Sequence, residues 1–178
     1  MPGDRAVIPA INNLPPLAPV MKTIIIYRSL HRGNTEKVAK AMAEAAGARL
    51  EDARNVGPGD LAGYELIGFG SGIYQDRFHG DILRLIEEMP GAGKKVFIFS
   101  TAAVLKDYYH APIREKLLEK GCTVVGEFTC PGEFIPLGLN LGRSLPGVLV
   151  LLSGKNQGRP DANDLNDARA FARKLVKD

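Results

Sequence analysis

The feature that most constrains the fold of this chain is a repeated alternation of short aliphatic runs with amphipathic segments. The first run, residues 23–27, contains three consecutive isoleucines and has the pattern of a strand buried on both faces. A polar loop follows, and then a segment with apolar residues at helical spacing that Gly47 ends. The same order recurs along the chain. The predicted strands are residues 23–27, 65–70, 95–99, 123–128 and 148–152, with a weaker edge strand at 49–53, and the predicted helices are residues 35–46, 81–89, 111–120 and 161–176.

Strands that alternate with helices of about ten residues predict right-handed crossovers and a mostly parallel sheet. We therefore expect a doubly wound α/β fold, with a five-stranded sheet and helices on both faces. In such sheets ligands bind outside the carboxyl ends of the strands, where the strand order reverses. The loops expected to carry function are residues 28–35, 71–79 and 100–110.

Composition excludes several classes of protein. The chain has 178 residues, which suits one domain, and its 45% hydrophobic and 24% charged residues are typical of a globular protein. Its aliphatic runs are far shorter than the ~20 residues of a membrane span. The net charge of +3 is scattered among acids, which disfavours nucleic-acid binding. Cys122 and Cys130 have neither disulfide-framework nor metal-site spacing, so we expect reduced thiols and a cytoplasmic location.

Residues 1–20 are rich in proline and show neither a helical nor a strand period. They are interpreted as a flexible extension before a domain of residues 21–178. Pro9 and Pro15–Pro16 interrupt the apolar stretches that a signal peptide would need. Met21 is a possible alternative start.

The loop between the first strand and the first helix is crowded with hydrogen-bond donors and contains no carboxylate. Donors at a helix N-terminus, the positive end of the helix dipole, suit a phosphate group. In the alternative interpretation, Asn34 or Thr35 only caps the helix and Gly33 makes the turn. The candidate phosphate-binding residues are Ser29, His31, Arg32, Gly33, Asn34 and Thr35.

This loop carries a resemblance to a known family. Tyr27, Ser29, the run Gly33-Asn34-Thr35 and Ala39 match the pattern of the flavodoxin family, which the chain resembles from about Lys22 to its end. The run Gly158-Arg159-Pro160 before the last helix is also similar. The resemblance implies that the loop cradles the phosphate of FMN. One departure is that the loop is one residue longer than the usual form, which affects which side chain contacts which phosphate oxygen.

The resemblance also implies roles for the other two loops. Tyr74 is expected to stack on the flavin, or alternatively to cover the strand ends, and Ile73 would lie beside it. The peptide of Gly72 would lie near flavin N5, where its bare Cα lets it reorient on reduction. Backbone N–H groups of Thr101, Ala102 and Ala103 would bind the pyrimidine edge of the ring.

Other residues of these loops are assigned to structure. Phe78 and the pair Tyr108-Tyr109 are expected to pack, and Cys130 to be a buried thiol. The three histidines have no metal-ligand spacing, and His79 and His110 are expected on the surface at helix starts. The sequence also indicates no Ser-His-Asp arrangement.

Two glycine motifs do not match the fingerprints of nucleoside-triphosphate or dinucleotide binding. Residues 91–95, Gly-Ala-Gly-Lys-Lys, lack the spacing of a nucleoside-triphosphate loop and precede a strand. Residues 68–72, Gly-Phe-Gly-Ser-Gly, are not followed at once by a helix, as a dinucleotide fingerprint requires.

The predicted function is that of an FMN-binding electron carrier with redox partner proteins or a small-molecule electron acceptor. The alternative is an FMN-dependent NAD(P)H or quinone oxidoreductase on the same fold. A phospho-accepting receiver domain is a third possibility, disfavoured because Tyr27-Arg28-Ser29 offers no carboxylate for Mg²⁺. A cavity free of cations beside the ring would disfavour negative charge on reduced flavin and make the carrier a strong reductant. The basic pI predicts partners with neutral or acidic patches.

Overall fold

The computed structural model describes residues 21–30, 32–133 and 156–177. The strands are β1 (Thr23–Arg28), β2 (Arg49–Asp52), β3 (Leu66–Tyr74), β4 (Arg77–Phe78), β5 (Lys95–Ala102) and β6 (Thr123–Pro131). The helices are α1 (Asn34–Ala46), α2 (Gly80–Glu88), α3 (Ala111–Glu119) and α4 (Ala162–Leu175). The predicted extension at 1–20 and the predicted strand at 148–152 lie outside the described residues.

Five strands form a parallel sheet in the order β2-β1-β3-β5-β6. The chain runs from β1 to β2 on one side and then returns to β3 on the other side of β1. The strand order therefore reverses between β1 and β3, and a crevice is expected at the carboxyl ends of these strands. This topology confirms the predicted doubly wound α/β fold. None of the described helices is both long enough and apolar enough to span a bilayer.

The two faces of the sheet are covered by different helices. In β1, Ile24 and Ile26 pack with the apolar residues of α2 and α3, whereas Ile25 between them packs with those of α1 and α4. This division follows the two-residue period of a strand, which sends successive side chains to opposite faces. All three isoleucines are fully buried, as expected for a central parallel strand.

The glycines of β3 make room for the side chains of β5. A Cβ built on Gly68 would overlap the ring of Phe97, and one on Gly70 would overlap the ring of Phe99. Both rings are fully buried, and they stack with centroids 6.1 Å apart. The run of alternating glycines in residues 68–72 thus has a packing role at its first two glycines.

Strand ends differ from the prediction at the functional edge of the sheet. β3 continues to Tyr74, β5 to Ala102 and β6 to Pro131, so residues 71–74 and 100–102 are strand instead of loop. The reason is that small and polar residues there stay paired, as Gly72 with Thr101. β4, which was not predicted, pairs antiparallel with the end of β3 and makes a hairpin.

Candidate functional site

A cavity of about 300 Å³ opens at the carboxyl ends of the parallel strands. It brings together residues of all three predicted loops, and most of the predicted site residues line it. These are Ser29, Asn34, Thr35, Gly72, Ile73, Tyr74, Thr101, Ala102 and Ala103. Arg32 and Gly33 do not line the cavity, and His31 lies outside the described residues.

The first turn of α1 lies at this edge of the sheet, and its N-cap residue supplies no side-chain hydrogen bond. Gly33 is the N-cap residue, with φ of 66°, and it has no side-chain oxygen to accept from the first-turn amides. Asn34 donates from Nδ2 to the carbonyl of Glu133 at 2.8 Å, and Thr35 shares a hydrogen bond with the Thr101 hydroxyl at 2.9 Å. The alternative in which Asn34 or Thr35 caps the helix is therefore wrong, because both residues lie inside its first turn.

The Asn34 carboxamide is the most unusual polar group of the cavity. Asn34 is only 6% exposed, and its Oδ1 has no hydrogen-bond partner among the described residues. A buried acceptor without a donor costs about 1–3 kcal/mol of desolvation free energy. Because Asn34 lines the cavity, a ligand with a hydroxyl or N–H group could supply the missing donor.

Tyr74 joins the first two loops. Its hydroxyl accepts a hydrogen bond from the Leu30 amide at 2.8 Å, and burial raises the pKa of this phenol. The side chain folds back over Gly72, where a Cβ would lie 2.5 Å from the Tyr74 hydroxyl oxygen. Gly72 has no left-handed φ in this structure, so its lack of a side chain serves first to admit Tyr74.

A group of four side chains at the opening, here called the mouth cluster, consists of Asp76, Lys106, Tyr108 and Tyr109. The carboxylate of Asp76 accepts from the Lys106 ammonium at 3.3 Å and from the Tyr109 hydroxyl at 3.2 Å. Lys106 also donates to the Tyr108 hydroxyl at 2.7 Å and lies over both tyrosine rings. The hydrogen bond from Lys106 is the main cause that lowers the pKa of Asp76.

The mouth cluster was not found from the sequence. Asp76, Lys106 and Tyr109 line the cavity, although Tyr109 had been assigned to packing. The lining of the cavity therefore includes an ammonium group, which is paired with a carboxylate. The sequence places these residues in the functional loops 71–79 and 100–110. It does not show that they contact one another, because that depends on how the two loops pack together.

Residues after β6 close the floor of the cavity and were also missed. Gly132 and Glu133 line it, and a Cβ on Gly132 would lie 3.0 Å from Asn34 Nδ2. Gly132 donates its N–H to the Ala102 carbonyl at 3.0 Å, and Asn156 donates from Nδ2 to the Ala103 carbonyl at 2.6 Å. The end of β5 is thus held in place by both segments.

A second polar group lies on the other face of β5. His110 Nε2 bonds the Ser100 hydroxyl at 2.8 Å, and its Nδ1 bonds Glu127 at 3.0 Å. Glu127 also accepts from Arg114 at 2.7 Å. We call Ser100, His110, Glu127 and Arg114 the histidine relay.

The histidine relay corrects two expectations. His110 is 6% exposed instead of lying on the surface, and a serine, a histidine and a carboxylate do come together. Burial lowers the pKa of His110, so neutral His110 donates from Nδ1 to Glu127 and accepts at Nε2 from Ser100. Ser100 is fully buried and does not line the cavity, so this arrangement ties α3 to the sheet and offers no nucleophile.

Two further predictions can be judged at this edge. Cys130 is buried, and burial raises its pKa to about 12, which keeps it a protonated thiol.

Arg28 at the end of β1 pairs with Asp81 at 2.9 Å and with Asp52 at 3.5 Å. A guanidinium therefore stands beside the nearby carboxylates, which argues against the Mg²⁺ site of a receiver domain.

The protein-family model described as Flavodoxin domain matches residues 24–133 of this chain. The matched residues include nearly all of β1, the helix α1 and the cavity-forming ends of β3, β5 and β6. The chain belongs to the flavodoxin family. An uncharacterised protein of Methanocaldococcus jannaschii is 37% identical to this flavodoxin-family chain over 159 residues, covering 88% of this chain and 99% of that protein.

Solved structures share the fold at low sequence identity. A flavodoxin from the domain Archaea has a TM-score of 0.62 at 18% identity and covers 88% of this chain and 97% of its own. Flavodoxin 1 of Bacillus cereus has a TM-score of 0.62 at 19% identity, with the same coverage. The rubredoxin oxygen:oxidoreductase of Desulfovibrio gigas also has a TM-score of 0.62, but the match covers only 35% of that chain. This flavodoxin-family fold therefore also matches part of a larger chain.

Proposed function

We propose that this flavodoxin-family protein binds FMN and acts as an electron carrier. The observation that carries the proposal is the Oδ1 of Asn34, which has no hydrogen-bond partner among the described residues, at the N-terminus of α1, where Gly33 supplies no side-chain cap. A helix N-terminus favours an anion, and the amide oxygen favours a neutral donor. A phosphate ester that also carries hydroxyl groups, as FMN does, satisfies both requirements.

The phosphate would be held by backbone N–H groups of the first turn of α1. Ser29, with its hydroxyl, and Thr35 line the cavity nearby, and the exposed Arg32 adds positive charge to the loop before the helix. Asn34 Oδ1 would accept a hydrogen bond from a hydroxyl of the ribityl chain. The Nδ2 group of Asn34 already donates to the Glu133 carbonyl, which fixes the orientation of the amide. The Thr35 hydroxyl is shared with Thr101, so it links the helix terminus to the end of β5.

The flavin ring would lie against the ends of β3 and β5. Gly72, Ile73 and Tyr74 would cover one side and exclude water, and backbone groups of residues 101–103 would bind the polar edge of the ring. Bound FMN supplies the capacity to accept and release electrons. The chain contributes binding, orientation and a local electric field.

The first experiment compares FMN with riboflavin, which lacks the phosphate. We expect FMN to bind at least tenfold more tightly, since a single charge-assisted hydrogen bond is worth about 1.5–3 kcal/mol. Titration of apoprotein followed by flavin fluorescence measures both affinities. Equal affinities would overturn the phosphate assignment.

A second candidate function is an FMN-dependent NAD(P)H or quinone oxidoreductase. Val104 lines the cavity and is exposed, and Leu30, Leu105 and Tyr108 are exposed on the loops at this edge, so an aromatic substrate could be received beside the ring. The experiment that separates the two is NAD(P)H oxidation by the FMN-loaded protein alone, with a soluble quinone as acceptor. Sustained turnover favours the oxidoreductase, whereas its absence together with fast electron exchange with a reduced protein carrier favours the carrier.

A further inference from the structure

The mouth cluster is built on a turn with two left-handed residues. Gln75 and Asp76 connect β3 to β4, and both have left-handed φ values, 51° and 62°. Glycine, asparagine and aspartate are the usual residues at such positions, so Gln75 is the exception and stores backbone strain. Strain of this kind persists where neighbouring contacts hold it, and here Lys106, Tyr108 and Tyr109 all donate to the Asp76 carboxylate.

The cluster places two opposite charges on the cavity. Lys106 and Asp76 both line it, and their side chains are 37% and 58% exposed. The ammonium group also lies 5.2 Å and 5.6 Å from the ring centroids of Tyr108 and Tyr109. These contacts fix the ammonium at the mouth instead of leaving it mobile in solvent, and Asp76 offsets part of its field.

We propose that Lys106 and Asp76 set the reduction potential of the flavin bound in this cavity, with Lys106 raising it and Asp76 lowering it. The inference rests on the proposed binding of FMN. Reduction by an external reductant such as dithionite transfers two electrons to the ring. When one proton is taken up the ring carries one negative charge, which the Lys106 ammonium stabilises and the Asp76 carboxylate opposes. The phosphate charge acts on the reduced ring in the same way in wild type and variants, so it cancels from the difference between their potentials.

The test is the midpoint potential of FMN-loaded Lys106→Gln and Asp76→Asn, measured against a redox dye, together with the Kd of oxidised FMN. Asparagine tolerates the left-handed conformation, so Asp76→Asn preserves the turn. In Lys106→Gln we expect the ratio of reduced to oxidised Kd to rise about threefold, as for a partly exposed charge. For a two-electron couple this lowers the potential by about 15 mV, since tenfold corresponds to about 30 mV. Asp76→Asn should shift the potential in the opposite direction, because it removes a negative charge from the same cavity.

An ion pair between helices α2 and α3 provides a matched control. Lys116 and Glu87 form an ion pair of 2.9 Å with side-chain exposures of 39% and 63%, close to those of the mouth pair, and neither lines the cavity. Lys116→Gln and Glu87→Gln make the same charge changes and should leave the potential unchanged. Equal shifts in the control pair, shifts of the same sign in both mouth variants, or no shift at all would overturn the inference. Absence of FMN binding in the wild type would instead overturn the proposed function, so the two failures are distinguishable.

Discussion

Ser100 and Thr101 are neighbours on β5, yet they belong to two polar regions with opposite properties. Ser100 points to the α2 and α3 face and joins the histidine relay, in which each side chain has a hydrogen-bond partner. Thr101 points to the cavity and bonds Thr35, beside an Asn34 oxygen that has no partner among the described residues. A buried polar group that satisfies itself stabilises the fold, whereas one left incomplete at a cavity is available to a ligand.

The largest expected effect breaks the histidine relay. His110→Ala leaves Ser100 and Glu127 without their buried partner, and we expect the free energy of unfolding to fall by about 2–3 kcal/mol. Urea denaturation of the apoprotein measures this loss, and FMN affinity of the folded protein should change little. The control is His79→Ala, which removes the α2 cap that accepts from the Asp81 amide, worth about 1 kcal/mol, and an edge contact with the Tyr74 ring. A smaller loss in His110→Ala than in the control would contradict the structural role of the relay.

The next effect compares the two neighbours on β5 directly. Ser100→Ala removes the donor to His110 and should cost about 1–2 kcal/mol of stability without weakening FMN binding. Thr101→Val preserves the shape but breaks the buried bond to Thr35, so it should cost about 1–2 kcal/mol of stability and also weaken FMN binding. Denaturation and flavin titration on both variants measure the two quantities. The comparison fails if Ser100→Ala weakens FMN binding or if Thr101→Val leaves it unchanged.

Asn34→Ala tests the incomplete region alone. It removes the unpaired oxygen together with the bond to Glu133, so apoprotein stability should change by no more than about 1 kcal/mol. FMN binding should weaken about tenfold, or ~1.4 kcal/mol. Asn163→Ala on the exposed surface of α4 is the control and should alter neither quantity. Unchanged FMN affinity in Asn34→Ala would remove this residue from the binding site.

The smallest effect is the pH dependence of the histidine relay. Burial lowers the pKa of His110 below its ordinary value of 6.5, so the unfolded chain binds more protons than the folded chain just below pH 6.5. Stability should therefore fall as the pH drops below 6.5, with a slope for this group of at most about 1.4 kcal/mol per pH unit. Glu127 and Arg114 are the charged groups that act on His110. Denaturation curves between pH 5 and 7.5 should show a shallower slope in His110→Gln than in the wild type, and an identical slope would contradict the assignment.

Much of the fold could be predicted because local pattern and burial agree. The isoleucines of β1 and the glycine that ends α1 act within a few residues, and the structure confirms both. The β3–β4 hairpin was missed because its turn has Gln75 at a left-handed position and contains no glycine or asparagine. The ends of β3 and β5 were missed because polar and small residues there resemble a loop.

The candidate site was predictable as a set of loops, but its internal contacts were not. The loops that line the cavity follow from the topology of a parallel sheet. The pairing of Asp76 with Lys106 and the burial of His110 depend on residues 30 and 17 positions away, which no local pattern reveals. A histidine is buried when specific partners satisfy both nitrogens, and those partners come from two different strands.

The bare surface of β3 beneath Phe97 and Phe99 has a consequence for how this core can change. The rings of Phe97 and Phe99 on β5 occupy the space that side chains at positions 68 and 70 of β3 would need. The side-chain volumes at positions 68 and 97, and those at 70 and 99, therefore have a fixed sum. Gly68→Ala alone overfills that space, and Phe97→Leu alone leaves a void. A larger residue at position 68 or 70 of β3 therefore requires a smaller residue at the paired position of β5.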